Sequence, residues 1–201
     1  MRHLVLIMLL ALAGPALAQS PAAPAAPVRI VLTTSAGAIT LELDQARAPV
    51  TTANFLRYVD QRKWDGVDFY RTMRMGENSG LVQGGIRDAR LLNPPIAHEP
   101  TAQTGLAHID GAISMARVGP GTARADFFIT IGAVPGFDAG PQSGGDQLGF
   151  AVFGRVVVGM DVIRRIWTSP TSPTEGEGVM RGQMLQPRIR ILTARRVPPA
   201  R

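Results

Sequence analysis

The chain has 201 residues, 45% hydrophobic and 5% aromatic, with 21 basic against 15 acidic side chains, a formal charge of +6 and no cysteine. An apolar fraction of that size, with 22 glycines and 16 prolines in no fixed period, excludes collagen-like, coiled-coil and disordered chains and allows one ordinary domain with appendages. The missing cysteine excludes disulfides, thiolate nucleophiles, iron–sulfur clusters and sulfur-ligated zinc together, and because Lys63 is the only lysine the positive balance is carried by arginine.

Residues 1–18 carry Arg2 and His3, an apolar run over 4–13, a Gly14-Pro15 break and Ala16-Leu17-Ala18. This is the layout of a cleavable secretory signal peptide with an Ala-x-Ala site. Pro15 ends the run short of the roughly 18 apolar residues that a membrane-spanning helix needs. With no cysteine after the site a lipoprotein is excluded, and the mature chain is expected to start at Gln19 in a periplasmic or secreted location. Residues 19–27 form a Pro/Ala-rich tether that cannot bury a core. Folded structure is expected over 28–197, with a tail at 198–201.

In residues 28–43, Ile39, Leu41 and Leu43 alternate with Thr40 and Glu42, and Ser35-Ala36-Gly37 makes a turn, so the stretch reads as a β-hairpin. Pro49 suits a first helical turn, and Val50, Ala53, Phe55, Leu56 and Val59 form a stripe at helical spacing that ends before Trp64-Asp65-Gly66. Short strands are expected over 67–73, 81–86, 112–116, 127–131, 151–157 and 189–193, with a second short helix over 161–167. Many short strands between Gly, Pro and Asp turns point to a closed or sandwiched antiparallel architecture. The loop at 132–149, with its many glycines, is expected to be the most mobile part of the fold.

Several chemistries lack their residues. His98 and His108, the histidines after residue 18, have no metal-ligand spacing and read as surface or loop residues. No Gly-rich phosphate loop opens a helix. Ser114 lies in an apolar strand with no evident base, which argues against a serine nucleophile. The arginines are interleaved with acids, as in Arg87-Asp88-Ala89-Arg90, and aromatics are few, so nucleic-acid binding is not supported.

What stands out is a set of apolar strands with isolated polar residues: Phe69-Tyr70-Arg71, Leu81-Val82-Gln83-Gly84-Gly85, Ile113-Ser114-Met115-Ala116-Arg117 and Asp126-Phe127-Phe128-Ile129. With Thr33-Thr34-Ser35-Ala36-Gly37, the run from Ala48 to Leu56, and Val152-Phe153-Gly154-Arg155-Val156-Val157 before Gly159-Met160-Asp161-Val162, they resemble the cyclophilin family of peptidyl-prolyl isomerases. The resemblance runs over 28–197. It implies a mainly β fold, a closed eight-stranded antiparallel barrel capped by two α-helices.

The resemblance also implies roles. Arg71 matches the catalytic arginine and Gln83 the glutamine that orients it. Phe128 matches the floor of the proline pocket, with Leu81, Phe137 and Phe150 at other wall positions. Ala116 and Arg117 fall where the family holds substrate through backbone groups. No cofactor or metal is implied. The partners are proline-containing unfolded or partly folded polypeptides, with no nucleic acid, no stable membrane insertion after signal cleavage, and a monomeric chain.

This sequence departs from the family pattern at several of these positions. Gly80 and Gly136 replace two pocket aromatics, Tyr70 and Asp126 replace a common His and Gln, and residues 73–79 form an insertion from which Met73 or Met75 is expected to refill the gap at Gly80. The resulting reading is an isomerase of reduced activity assisting the folding of exported proteins. Its runner-up is a chaperone-like module that binds proline segments with weak or no turnover. A third reading, a scaffold using its basic face against anionic lipid, rests on charge alone.

Overall fold

The structure is a computed structural model, and it describes residues 27–198. The expected signal peptide, the tether up to residue 26 and the end of the tail lie outside the described residues.

The first two strands, β1 (Val28–Thr34) and β2 (Gly37–Leu43), form the expected hairpin. Its two-residue loop closes where Thr34 Oγ1 accepts from the Ala36 amide at 3.1 Å, and where Gly37 takes a φ of 135° that a side chain would resist. Seven further strands follow: β3 (Asp68–Arg74), β4 (Gly80–Gly85), β5 (Ala112–Met115), β6 (Phe127–Ile131), β7 (Ala151–Val158), β8 (Thr171–Ser172) and β9 (Met184–Arg196). Their antiparallel order is β1-β2-β7-β5-β6-β4-β3-β9, and β9 pairs back onto β1, so eight strands close a barrel while β8 hangs on β9. Closure leaves no long unpaired edge.

Two helices stop the barrel's openings. Helix α1 (Pro49–Asp60) has Pro49 in its first turn and buries Phe55, Leu56, Tyr58 and Val59 against β7 and β9. It has no side-chain cap of its own. The Glu99 carboxylate, wholly inside the fold, accepts from the amides of Val50 and Thr51 at 3.0 and 2.8 Å and puts negative charge at the positive end of the helix. Helix α2 (Thr101–Thr104) is one turn long. Helix α3 (Met160–Trp167) presents Val162, Ile163, Ile166 and Trp167 to β2, β3 and β4.

Inside the barrel Phe55, Trp64, Phe69, Phe127 and Phe153 pack ring to ring with centroids 5.0–5.7 Å apart, each ring no more than 1% exposed. Burying one such side chain favours folding by about 1.5–3 kcal/mol. The expected elements are present with shifted ends; β9 is the largest difference, thirteen residues long against the five expected at 189–193. Alternation is hidden there because its exposed positions carry Arg188, Arg190 and Arg196 beside exposed or partly exposed apolar ones such as Leu192 and Ile189.

Candidate active site

Strict alternation along β3 would aim Arg71 the same way as Phe69, into the core. The register instead slips: Phe69 faces Gly84 and Arg71 faces Gln83, leaving Tyr70 as the extra residue of a bulge. A bulge of this kind re-aims the following side chain. Arg71 therefore joins Gln83, Leu81 and Phe128 on the face of the sheet turned away from the core cluster, and none of these four belongs to that cluster.

The guanidinium is held at three points. Arg71 Nη1 donates to Gln83 Oε1 at 2.7 Å, Nε donates to Gln183 Oε1 at 2.8 Å, and Nη2 lies 3.3 Å from Met73 Sδ. Arg71 is 9% exposed, and this burial lowers its pKa from the ordinary value. An arginine nonetheless stays protonated in proteins. Beside it Tyr70 Oη donates to Asp126 Oδ1 at 3.3 Å, Arg87 stacks 4.8 Å over the Tyr70 ring, and burial pushes the Asp126 carboxyl up.

Next to Gln83 in the register is Phe128. Its ring meets Phe137 at 5.5 Å and Phe150 at 5.3 Å, those two are 5.3 Å apart, and all three contacts are edge-on. Arg117 lies 5.6 Å over the Phe150 ring. Its guanidinium is turned into the loop at 132–149, donating to Asp146 at 2.6 and 2.8 Å and, through Nε, to the Gly149 carbonyl at 2.9 Å. Arg117 holds the Asp146 carboxyl down to about 2. Ala116 donates its amide to the Asp126 carbonyl at 2.9 Å, between the two halves of the site. Register, ring contacts and hydrogen bonds thus link Arg71, Gln83, Phe128, Phe137, Phe150 and Arg117, with Leu81 on the same strand face as Gln83 and Ala116 bonded to Asp126 next to β6.

Three expectations change. First, His108 lies in a loop, between α2 and β5, but not at the surface: it is 1% exposed and stacks on Phe128 with centroids 5.8 Å apart and planes 12° apart. His98 does sit in a loop, its Nε2 3.1 Å from the Leu148 carbonyl. Second, Ser114 does have a base. His108 Nδ1 donates to Asp138 Oδ1 at 2.6 Å, which leaves Nε2 to accept from Ser114 Oγ at 3.0 Å. This has the order of an acyl-transfer triad, but Ser114 is 0% exposed, so its hydroxyl meets the imidazole and no substrate. The chain satisfies the buried His108 and Ser114 behind the Phe128 ring and reaches partly exposed Asp138. Burial holds the imidazole pKa below 6.5 against the opposing pull of Asp138.

Third, Gly80 is not a gap in the pocket wall. It shares a face with Val82, toward the core, and a Cβ there would run into the Met73 carbonyl and the Trp167 indole. The insertion lengthens the β3–β4 hairpin instead: Met75 is 47% exposed, and Met73 reaches the guanidinium. Gly136 does face open space, its nearest neighbour being the Gln142 carbonyl at 3.7 Å. The loop at 132–149 is hydrogen-bonded to its surroundings. Val134 donates to the His108 carbonyl, Ala139 to Thr101 Oγ1, and Phe150 to the Phe137 carbonyl.

Gln183, His108, Asp138 and Asp146 escape a reading of the sequence because no period or short motif joins them to their partners. Gln183 lies 112 residues from Arg71, and Asp138 lies 30 from His108. Among the described residues no cluster of three or more metal-ligating side chains occurs.

Residues 29–195 match the model of the family described as cyclophilin type peptidyl-prolyl cis-trans isomerase/CLD. The chain is similar to peptidyl-prolyl cis-trans isomerase A of Dickeya dadantii, 38% identical over 68% of this chain and 70% of the relative. It is also similar to a peptidyl-prolyl cis-trans isomerase of Streptomyces antibioticus, 36% identical over 73% of this chain and 87% of the relative. Among solved structures, a cyclophilin type peptidyl-prolyl cis-trans isomerase of Cryptosporidium parvum shares the fold with a TM-score of 0.67 at 18% identity, over 87% of this chain and 99% of that one. The same protein was crystallised in the presence of the dipeptide Ala-Pro, with a TM-score of 0.65 to this chain.

Proposed function

We propose a division of labour within the site from one premise: this chain belongs to the cyclophilin family of peptidyl-prolyl cis-trans isomerases. The reaction rotates an X-Pro peptide bond whose partial double-bond character sets a barrier of roughly 18–20 kcal/mol. At the twisted transition state conjugation is lost, and the proline nitrogen becomes a pyramidal lone-pair acceptor. A fixed donor aimed at that nitrogen favours the twisted state over either planar one.

Arg71 is that donor. The observation that carries this reading is the guanidinium held by Gln83 and Gln183, with its Nη2 edge turned to a thioether, a weak acceptor that a substrate displaces at little cost. Phe128, Phe137 and Phe150 receive the proline ring, with Leu81 beside them on the same face as Gln83. Ala116 and Arg117 present backbone to the peptide along the rim. The substrates are proline-containing unfolded or partly folded polypeptides. The intact arginine cradle favours turnover over a module that only binds.

The layout of residues 1–18 supports export, so the clients are exported proteins and the site of action is the periplasm or the medium, the Pro/Ala stretch at 19–27 acting as a tether. N-terminal sequencing of the protein from fractionated cells tests this part: a start at Gln19 in the exported fraction supports it, and an intact Met1 in the cytoplasm contradicts it. The activity is tested by NMR exchange spectroscopy on an Ala-Pro peptide series. Cis–trans exchange faster than in buffer is expected; saturable binding with unaccelerated exchange would reduce the protein to a binder.

A further inference from the structure

We propose that Gln183 is a positioning residue for the reaction, fixing the Nε edge of Arg71 so that only the Nη2 edge is left for the substrate. The inference rests on the reading of Arg71 as the transition-state donor. Gln183 comes from a part of the chain that the sequence motifs do not touch. It follows the two-residue strand β8 and a single 3-10 turn at Gly178–Met180, and directly precedes β9.

Three contacts other than the one to Arg71 fix the residue. Its carbonyl accepts from the Thr72 amide at 2.9 Å, which ties it to β3 beside Arg71. Its own amide donates to the Met180 carbonyl at 3.1 Å, closing the turn. Its side-chain Nε2 donates to the Val179 carbonyl at 2.7 Å. The last contact decides the orientation of the amide. Flipped, Gln183 would set an oxygen against the Val179 carbonyl and an N–H against the Arg71 Nε–H, two repulsive pairs in place of two hydrogen bonds. Oε1 is therefore pinned toward Arg71 Nε, 2.8 Å away.

The consequence for catalysis is geometric. A guanidinium has five N–H donors in a rigid plane. With Nη1 held by Gln83 alone, that plane could still turn about the single contact. A second anchor at Nε, on a different edge of the fork, removes the rotation and points Nη2 in one direction. Preorganisation of this kind accelerates a step because no reorientation is needed as charge develops on the substrate.

The test is a double-mutant cycle between Gln183 and Arg71, read by NMR exchange on an Ala-Pro peptide. Gln183→Leu keeps the bulk and removes the acceptor; it is expected to lower kcat about tenfold while KM stays within about twofold. In an Arg71→Lys background, where there is no Nε–H fork to orient, the same substitution should add less than about twofold. Gln183→Met, unbranched and closer in shape, should repeat the result, and a melting temperature equal to the parent's in either variant shows that the fold is kept. In 15N-labelled protein the Arg71 Nε–H signal, identified by its loss in Arg71→Lys, should be protected from solvent exchange in the parent and unprotected in Gln183→Leu. A Gln183→Leu enzyme as fast as the parent, or one slowed equally in both backgrounds, overturns the proposal while leaving Arg71 in its role. An Arg71→Lys enzyme as fast as the parent overturns both.

Discussion

Around Arg71 the contacts are directed hydrogen bonds, to Gln83 at 2.7 Å and to Gln183 at 2.8 Å, whereas around Phe128 the contacts are between three rings with centroids 5.3–5.5 Å apart. The two ends are neighbours, since Gln83 and Phe128 face each other across β4 and β6. The polar end needs direction, because a donor misaimed by a few tens of degrees loses most of its effect on a developing lone pair. The apolar end needs area and shape, which non-directional packing supplies. Even so it is backed by a hydrogen-bonded chain, Asp138–His108–Ser114, that keeps one imidazole face against Phe128. Direction at one end and area at the other should therefore separate in kinetics as kcat and KM.

At the apolar end the largest separation is expected from Phe128→Ala. Removing the floor ring should raise KM roughly 30-fold, the equivalent of about 2 kcal/mol of lost apolar contact, with kcat for bound peptide little changed. A kcat loss larger than the KM rise would merge the two ends into one unit.

The two glycines sharpen the comparison next, because they occupy opposite situations. Gly80→Ala forces a Cβ against the Met73 carbonyl and Trp167 and is expected to cost about 1–3 kcal/mol of stability in chemical denaturation. Gly136→Trp enters open space beside Phe137 and should leave stability unchanged while lowering KM by about threefold, the equivalent of roughly 0.7 kcal/mol of added apolar contact. The opposite ranking of the two variants would show that the pocket wall passes through Gly80 after all.

His108 adds a pH signature at the apolar end. Burial depresses its pKa in the fold, so the unfolded chain binds the proton more readily. The stability this imidazole contributes is complete above its unfolded pKa of about 6.5 and is lost as pH falls through the lower folded value. Denaturant midpoints of the parent should decline over that window. His108→Gln, which does not titrate, should flatten the decline and lower stability at neutral pH by about 1–3 kcal/mol, since Asp138 and Ser114 lose their shared partner.

The smallest effect is expected at the rim. Arg117→Ala releases Asp146 and the Gly149 carbonyl and uncovers the Phe150 ring, and should change kcat/KM by about threefold or less, because the pair opens to solvent on its Asp146 side and such pairs contribute little. An effect as large as that of Phe128→Ala would give Arg117 a direct hand in substrate binding.

The parts of this molecule that can be read in its sequence share one property: their signal is local. The alternation of Ile39, Leu41 and Leu43, the stripe from Val50 to Val59, and the strings around Arg71, Gln83 and Phe128 each sit within one element; the first two appear as β2 and α1, and Arg71, Gln83 and Phe128 meet across β3, β4 and β6. The illegible parts join segments far apart in the chain. Glu99 caps a helix that begins 50 residues earlier, Gln183 reaches back 112 residues to Arg71, and His108 meets Asp138 30 residues on. Alternation also fails where a bulge intervenes, as at Tyr70, which turns Arg71 from the core face to the face of Gln83. The sparse aromatics, a feature of the whole chain, divide in space: of seven phenylalanines, Phe128, Phe137 and Phe150 line the site, and Phe55, Phe69, Phe127 and Phe153 fill the core.

The most direct measurement takes the parent and Arg71→Ala at saturating Ala-Pro peptide and follows binding and cis–trans exchange by NMR on the same samples. If the arginine supplies direction and the phenylalanines supply affinity, Arg71→Ala binds the peptide within about threefold of the parent while the exchange rate of the bound peptide falls by about 100-fold or more. Exchange at the parental rate in Arg71→Ala would contradict the assignment of Arg71 as the group that stabilises the twisted imide.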